Sequence, residues 1–162
     1  MSEWPILVLS LDDATERRAR IVAQLEAFGL DFEIVRAIDG RTGLPERQEA
    51  MIDRAATRDN LGREMGDTEY ACALSHHLIY RRVLEDGLAG AVVLEDDAIL
   101  LPQFAEFMAL KAYEKADLIA LDHWFGRIWR FSGERLTETV RAGRHSLLHC
   151  PTTAYSISAA GG

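Results

Sequence analysis

The segment Ala91-Val92-Val93-Leu94-Glu95-Asp96-Asp97 is a short apolar run that ends in three consecutive carboxylates. Adjacent carboxylates repel one another, and burying any of them without a partner is costly. A hard divalent cation such as Mn2+ or Mg2+ prefers oxygen ligands and would remove that conflict. In an extended backbone Glu95 and Asp97 project to one side and Asp96 to the other. That is the geometry a D-x-D type metal and nucleotide-sugar site needs. The alternative is a solvated acidic turn after a buried strand.

Other residues could share such a site. Arg17 and Arg18 fall in the first turn of a predicted helix, where the helix dipole disfavours cations. One reading is an anion site made of free backbone N–H groups and a guanidinium. The other is two exposed arginines paired with Asp13 or Glu16. His76 sits beside Ser75 on the apolar face of a later helix, and by itself reads as a hydrogen-bonded core histidine. Glu69 opens that helix, where a carboxylate is favoured in any case. Asp122 and His123 follow another apolar run. No Ser/His/Asp nucleophile motif, P-loop or dinucleotide fingerprint is present.

These groups need a scaffold. Pro5 to Leu11 reads as a buried parallel strand. Asp12 or Asp13 is the predicted cap of a helix to about Phe28, with Gly29 as its stop. Phe32 to Ala37 is a second strand, and Asp39-Gly40 starts a turn. Residues 45–56 form a helix candidate and 60–66 a loop. Asp67 or Thr68 is expected to cap a strong helix from Glu69 to about Glu85. Its predicted face carries Cys72, His76, Ile79 and Val83, flanked by Leu74 and Leu78. Further candidates are a helix over 102–113 and strands over 117–121, 146–150 and 154–158. Strand, helix, strand within about 35 residues makes a βαβ unit and a parallel sheet the default. In such sheets ligands bind beyond the carboxyl ends of the strands. Three strands present polar groups there: Ser10, Asp12 and Asp13; the acidic triplet; and Asp122 with His123. Were these strands neighbours, the groups would share one cleft.

The 162 residues suffice for one domain with a core, and 48% apolar with 27% charged residues is a globular composition. A net charge of -8 argues against a nucleic-acid partner. Lys111 and Lys115 are the only lysines. Arginine suits bidentate phosphate or carboxylate contacts, although genome base composition also explains the excess. Cys72 and Cys150 have neither metal-ligand spacing nor a disulfide framework, and read as reduced thiols of a cytoplasmic protein. No apolar run approaches a membrane span, so any membrane association is expected to be peripheral.

In order along the chain, five segments resemble the glycosyltransferase family 25 proteins of lipopolysaccharide biosynthesis. They are Val8-Leu9-Ser10-Leu11 with Glu16-Arg17-Arg18; Phe32 to Gly40, like F-x-x-x-x-A-x-D-G; and Glu69-Tyr70-Ala71-Cys72-Ala73-Leu74-Ser75-His76, like E-x-G-C-x-L-S-H. Leu94-Glu95-Asp96-Asp97 and Pro151 to Ser158 complete the set. The resemblance covers nearly the whole chain as a single domain, 1–162. It implies a GT-A-like (Rossmann-like) α/β fold, a mostly parallel sheet flanked by helices. It further implies an inverting transfer of a sugar, commonly galactose, from a UDP-sugar donor to a lipopolysaccharide, lipooligosaccharide or related acceptor, with Mn2+ or Mg2+. Carried over, Glu95 and Asp97 contact the metal. Ser10, Arg17, Arg18, Glu69, Ser75, His76, Glu95 and Asp96 line the donor side. Asp122 is the candidate catalytic base, on strand-end geometry alone.

Ser10 and Ala71 stand where the family often has Asn and Gly. Family members usually continue beyond the Tyr-x-Ile-Ser segment, so the expectation is a donor-binding portion without the C-terminal part of the domain. Three competing readings are an inactive nucleotide-sugar-binding module or remnant, a phosphoacceptor receiver domain and a scaffold of solvated carboxylates. The receiver reading fails on order, because Lys115 precedes both downstream aspartates, Asp117 and Asp122.

Overall fold

The computed structural model describes residues 3–122, 129, 132–144 and 152–161. The expected strand over 146–150, His123 and Cys150 lie outside the described residues.

The chain runs β1 (Ile6–Ser10), α1 (Thr15–Ala27), β2 (Glu33–Arg36), α2 (Glu46–Glu49), α3 (Arg54–Leu61), α4 (Asp67–Glu85) and β3 (Gly90–Glu95). It continues through α5 (Pro102–Ala109), a 3-10 turn (Ala112–Lys115), β4 (Leu118–Ala120), β5 (Glu134–Arg135), β6 (Arg141–Ala142) and β7 (Ala154–Ser158). The main sheet has the order β2-β1-β3-β7-β4, and β5 and β6 form a separate hairpin. β1 pairs in parallel with both β2 and β3, whereas β7 is antiparallel to β3 and to β4. The sheet is therefore mostly parallel, with one reversed strand. That agrees with the expected mostly parallel sheet, but β7 separates β3 from β4, so the third polar strand end is not adjacent to the second.

Alternation along the strands makes a three-layer domain. Ile6, Val8, Val92, Leu94 and Ala154 face Ile21 and Leu25 of α1 and Phe104 and Phe107 of α5. Leu7, Leu9, Ala91, Val93, Tyr155 and Ile157 face Ile79 and Val83 of α4. Val92, Val93 and Leu94 are fully buried, each contributing roughly 1.5–3 kcal/mol of apolar transfer. β3 is thus a rigid central strand that fixes where its acidic end emerges.

Local chemistry shifts several boundaries. Neither Asp12 nor Asp13 caps α1: the cap is Ala14, without a side-chain hydrogen bond, and the Asp13 carboxylate holds Arg41 instead, at 2.8 Å. Gly66, rather than Asp67 or Thr68, caps α4, and the Glu69 carboxylate accepts from its N–H at 2.9 Å. The expected 45–56 helix divides in two, because Asp53 caps α3 through a hydrogen bond from Ala56 N–H at 2.9 Å. The 102–113 helix stops early, and Lys111 takes a left-handed conformation at φ 49°. Cys72 and Leu78 are exposed; Tyr70, Ala71, Leu74 and Ser75 join His76, Ile79 and Val83 on the buried side of α4.

Gly40 has a steric role. A Cβ there would lie 2.3 Å from the Asp67 carbonyl oxygen and 2.8 Å from the Ala71 Cβ. The loop after β2 can press against the start of α4 only without a side chain at this position. Ser75 ties the same loop from the other side. Its hydroxyl accepts from Ile38 N–H at 2.8 Å and donates to the Ala71 carbonyl at 2.7 Å.

Candidate functional site

The extended strand ends at Glu95. Ala98 N–H donates to the Glu95 carbonyl at 3.1 Å, closing a turn over Asp96 and Asp97. The alternation expected for an extended Glu95-Asp96-Asp97 therefore does not hold, and the three carboxylates go to three different places. Asp96 folds inward and is 5% exposed. The Ser10 hydroxyl donates to it at 2.8 Å, and Arg17 Nε lies 3.3 Å from its other oxygen. The ends of β1 and β3 and the start of α1 are thereby joined through one buried carboxylate.

Glu95 turns toward α4. One of its oxygens lies 3.2 Å from His76 Nε2 and accepts from the Thr152 hydroxyl. His76, 3% exposed, has its Nδ1 2.8 Å from the Tyr155 hydroxyl. Burial pulls the imidazole pKa down, but interactions with Cys72 and Glu95 outweigh it and hold it up at about 9. Hydrogen bonding to His76 lowers the Glu95 carboxyl against its own burial, with help from Thr152. Cys72 lies one turn before His76, and the potential ligand atoms of Cys72, His76 and Glu95 lie within 4.8 Å of one another.

A cleft of about 190 Å³ opens over this junction, lined by Ser10, Arg17, Cys72, Ser75, His76, Glu95 and Asp96 among others. Its wall also carries Asp39 and Arg41. The Arg41 guanidinium bridges Asp39 and Asp13, and Asp39 accepts from Arg41 N–H at 3.0 Å. The Arg41 side chain holds the Asp39 carboxyl down at about 2.

Asp97 lies elsewhere. It lines a second hollow with Asp122, Thr153, Phe104, Leu121 and Val140. Partial burial, then the Glu95 and Asp96 charges, push its carboxyl pKa up, against a smaller opposing pull from Arg17. Glu95 and Asp97 therefore line different hollows, and Asp122 faces the Asp97 side. The single cleft expected from three strand ends is divided: Ser10, Glu95 and Asp96 line the first hollow, Asp97 and Asp122 the second, and Asp12 and Asp13 another beside the β2 loop.

Among the described residues no helix is long and apolar enough to cross a membrane. Residues 3–159 match the sequence profile of glycosyltransferase family 25 (LPS biosynthesis protein).

The chain belongs to glycosyltransferase family 25.

Among curated relatives, the lacto-N-neotetraose biosynthesis glycosyltransferase LgtE of Neisseria meningitidis serogroup B is 27% identical over 128 residues, covering 75% of this chain and 44% of that protein. LgtE of Neisseria gonorrhoeae is 26% identical over 161 residues, covering 93% of this chain and 55% of that protein. A rat protein named probable inactive glycosyltransferase 25 family member 3 is 33% identical over 104 residues, covering 57% of this chain and 17% of that one. The chain thus spans about half the length of the LgtE relatives.

Several residues of the family 25 resemblance fall away from the cleft. Glu69 ion-pairs with Arg63 at 2.6 Å and caps α4, outside both hollows. Arg18 donates to the Asp12 carbonyl at 2.7 Å. Arg17 and Arg18 therefore pair with neither Asp13 nor Glu16. Ser75 lines the cleft, but its hydroxyl is engaged by the loop it anchors. The reading of residue types overlooked Thr152, Tyr155 and the approach of Cys72 to Glu95. The late Thr-Thr-Ala-Tyr-Ser-Ile-Ser segment carried the signal, but only pairing of β7 with β3 reveals what Tyr155 reaches.

Proposed function

We propose that this chain forms the donor-binding portion of a metal-dependent, inverting glycosyltransferase. It would move a sugar, with galactose as the first candidate, from a UDP-sugar to a lipopolysaccharide, lipooligosaccharide or related lipid-linked glycan. It would work in the cytoplasm, at most peripherally on the inner membrane. The observation that carries this reading is the cleft at the joined ends of β1 and β3 in a family 25 chain, with Arg17 at its edge and carboxylates at its floor.

Arg17 keeps an exposed side chain (44%) beyond the Nε that holds Asp96. A guanidinium has five N–H donors, so the remaining edge can meet a diphosphate. Glu95 and Asp97 would hold Mn2+ or Mg2+, which requires one carboxylate to swing across the turn after β3, because the two line different hollows. Burial and then the Glu95 and Asp96 charges raise the Asp97 carboxyl, and a cation would relieve the charge part of that strain. Such an ion supplies charge neutralisation to a departing diphosphate. Asp122 is the proposed base that takes the acceptor hydroxyl proton, supported by its lining the same largely apolar hollow as Asp97.

The test is calorimetric titration of UDP in Mn2+ and then in EDTA, repeated on Asp97→Ala. Binding that needs both the ion and Asp97 is expected; no UDP binding under any condition overturns the reading. A second reading, binding without turnover, is favoured by the relatives named inactive. It predicts UDP binding but no release of UDP from UDP-sugars with any acceptor.

A further inference from the structure

The geometry points to a second cation site in this chain, made by Cys72, His76 and Glu95 and selective for a borderline-soft ion such as Zn2+. Cys72 and His76 are four residues apart on α4 and so share one face of the helix. Glu95 comes from the rigid end of β3 and meets His76 Nε2 at 3.2 Å. The three ligand atoms lie within 4.8 Å of one another. A tetrahedral zinc centre with bonds of about 2.0–2.3 Å needs ligand separations of roughly 3.3–3.8 Å. The largest gap must therefore shrink by about 1 Å, within reach of rotation at Cys72, whose side chain is exposed.

The outer partners also suit a metal. His76 is buried with Nε2 toward Glu95 and Nδ1 2.8 Å from the Tyr155 hydroxyl. A ligating histidine ordinarily donates its second N–H to an oxygen acceptor, which fixes the tautomer. Here Nδ1–H would donate to Tyr155, leaving Nε2 free for the ion. Thr152 donates to Glu95 and its Oγ1 lies 4.0 Å from Cys72 Sγ. Three protein ligands leave a fourth position open toward the cleft, the arrangement of zinc sites that bind a small ligand.

Thiolate and imidazole are poor partners for Mg2+ or Mn2+ but good ones for Zn2+ and Co2+. The site is therefore chemically distinct from the Glu95 and Asp97 pair, although Glu95 is common to both. It stands whether or not the chain binds a nucleotide sugar.

The test is Co2+ titration of chelator-stripped protein, read by the thiolate-to-cobalt charge-transfer band in the near ultraviolet. One equivalent should give the band and Zn2+ should displace it. Cys72→Ser should abolish it, with an unchanged far-UV spectrum confirming that the variant folds. Tyr155→Phe should weaken Co2+ binding about 10–100-fold, and Asp97→Ala should keep the band. No band in the parent protein overturns the site. So does a band that survives Cys72→Ser, which would belong to Cys150, or one lost in Asp97→Ala.

Discussion

The Ser10 hydroxyl donates a 2.8 Å hydrogen bond to the buried Asp96 carboxylate, tying the last residue of β1 to the turn that follows β3. A triplet of acidic residues is thereby divided: one member becomes an internal strut, and its neighbours are free to face two hollows.

Ser10→Ala removes a hydrogen bond from a carboxylate that is 5% exposed and leaves Arg17 as its main partner. The expected loss is about 1–3 kcal/mol. A lower urea midpoint with an unchanged slope would show it; an unchanged midpoint would mean that solvent reaches Asp96.

Gly40→Ala tests the close approach of the β2 loop to α4. The new Cβ would meet backbone at 2.3 Å, so the loop or the helix must shift. A loss of about 1–3 kcal/mol is expected, read as a fall in thermal midpoint, with weaker UDP binding because Asp39 and Arg41 shift with the loop. Wild-type stability would show that the contact is not tight in solution.

Glu69 gives a pH dependence. Arg63 and, after it, the Gly66 N–H hold its carboxyl down to about 2 from an ordinary 4.5. A depressed folded-state value stabilises above the unfolded value and loses that effect as pH falls through the folded one. The difference in urea midpoint between the parent and Glu69→Gln should be greatest at neutral pH and shrink between about pH 4.5 and 2. A gap that stays constant with pH would assign the effect to packing. UDP affinity at pH 7 should not change, since Glu69 lies outside the cleft.

Asp97→Asn should act in opposite directions with and without cation. The Asp97 carboxyl is raised by partial burial and by its acidic neighbours, so its charge opposes folding at neutral pH. Removing that charge should raise the melting temperature in EDTA and abolish the added stabilisation from Mn2+. A fall in EDTA would show that Asp97 has a partner the structure does not provide.

The strands were legible because continuous apolar runs such as Ile6–Ser10 and Gly90–Glu95 have little else to become. The family pattern was legible from five segments in order. The course of the chain after Glu95 was not, because three consecutive carboxylates carry the same local signal in an extended strand and in a turn. The place of β7 was also hidden. Its pairing with β3 spans some 60 residues, and nothing local in Ala154–Ser158 states its direction. Helix caps failed where a tertiary partner competed: Arg41 holds Asp13, and Arg54 holds Asp67 at 2.6 Å. His76 looked like a core histidine, and it is buried; what the sequence left out was that its two nitrogens meet Tyr155 and Glu95.

The reversed strand has a consequence for assembly during synthesis. Among the described residues, β4 has β7 as its only neighbour in the main sheet. A nascent chain that has emerged only as far as β4 can build β2, β1 and β3 with their helices, but β4 must wait without a strand partner. Such non-local pairing is slow, because loop closure precedes the contacts that reward it. The late insertion of β7 also delivers Tyr155 to His76 and Thr152 to Glu95. The β2-β1-β3 scaffold can therefore form before the site does, and the cleft becomes chemically complete only once β7 has paired with β3.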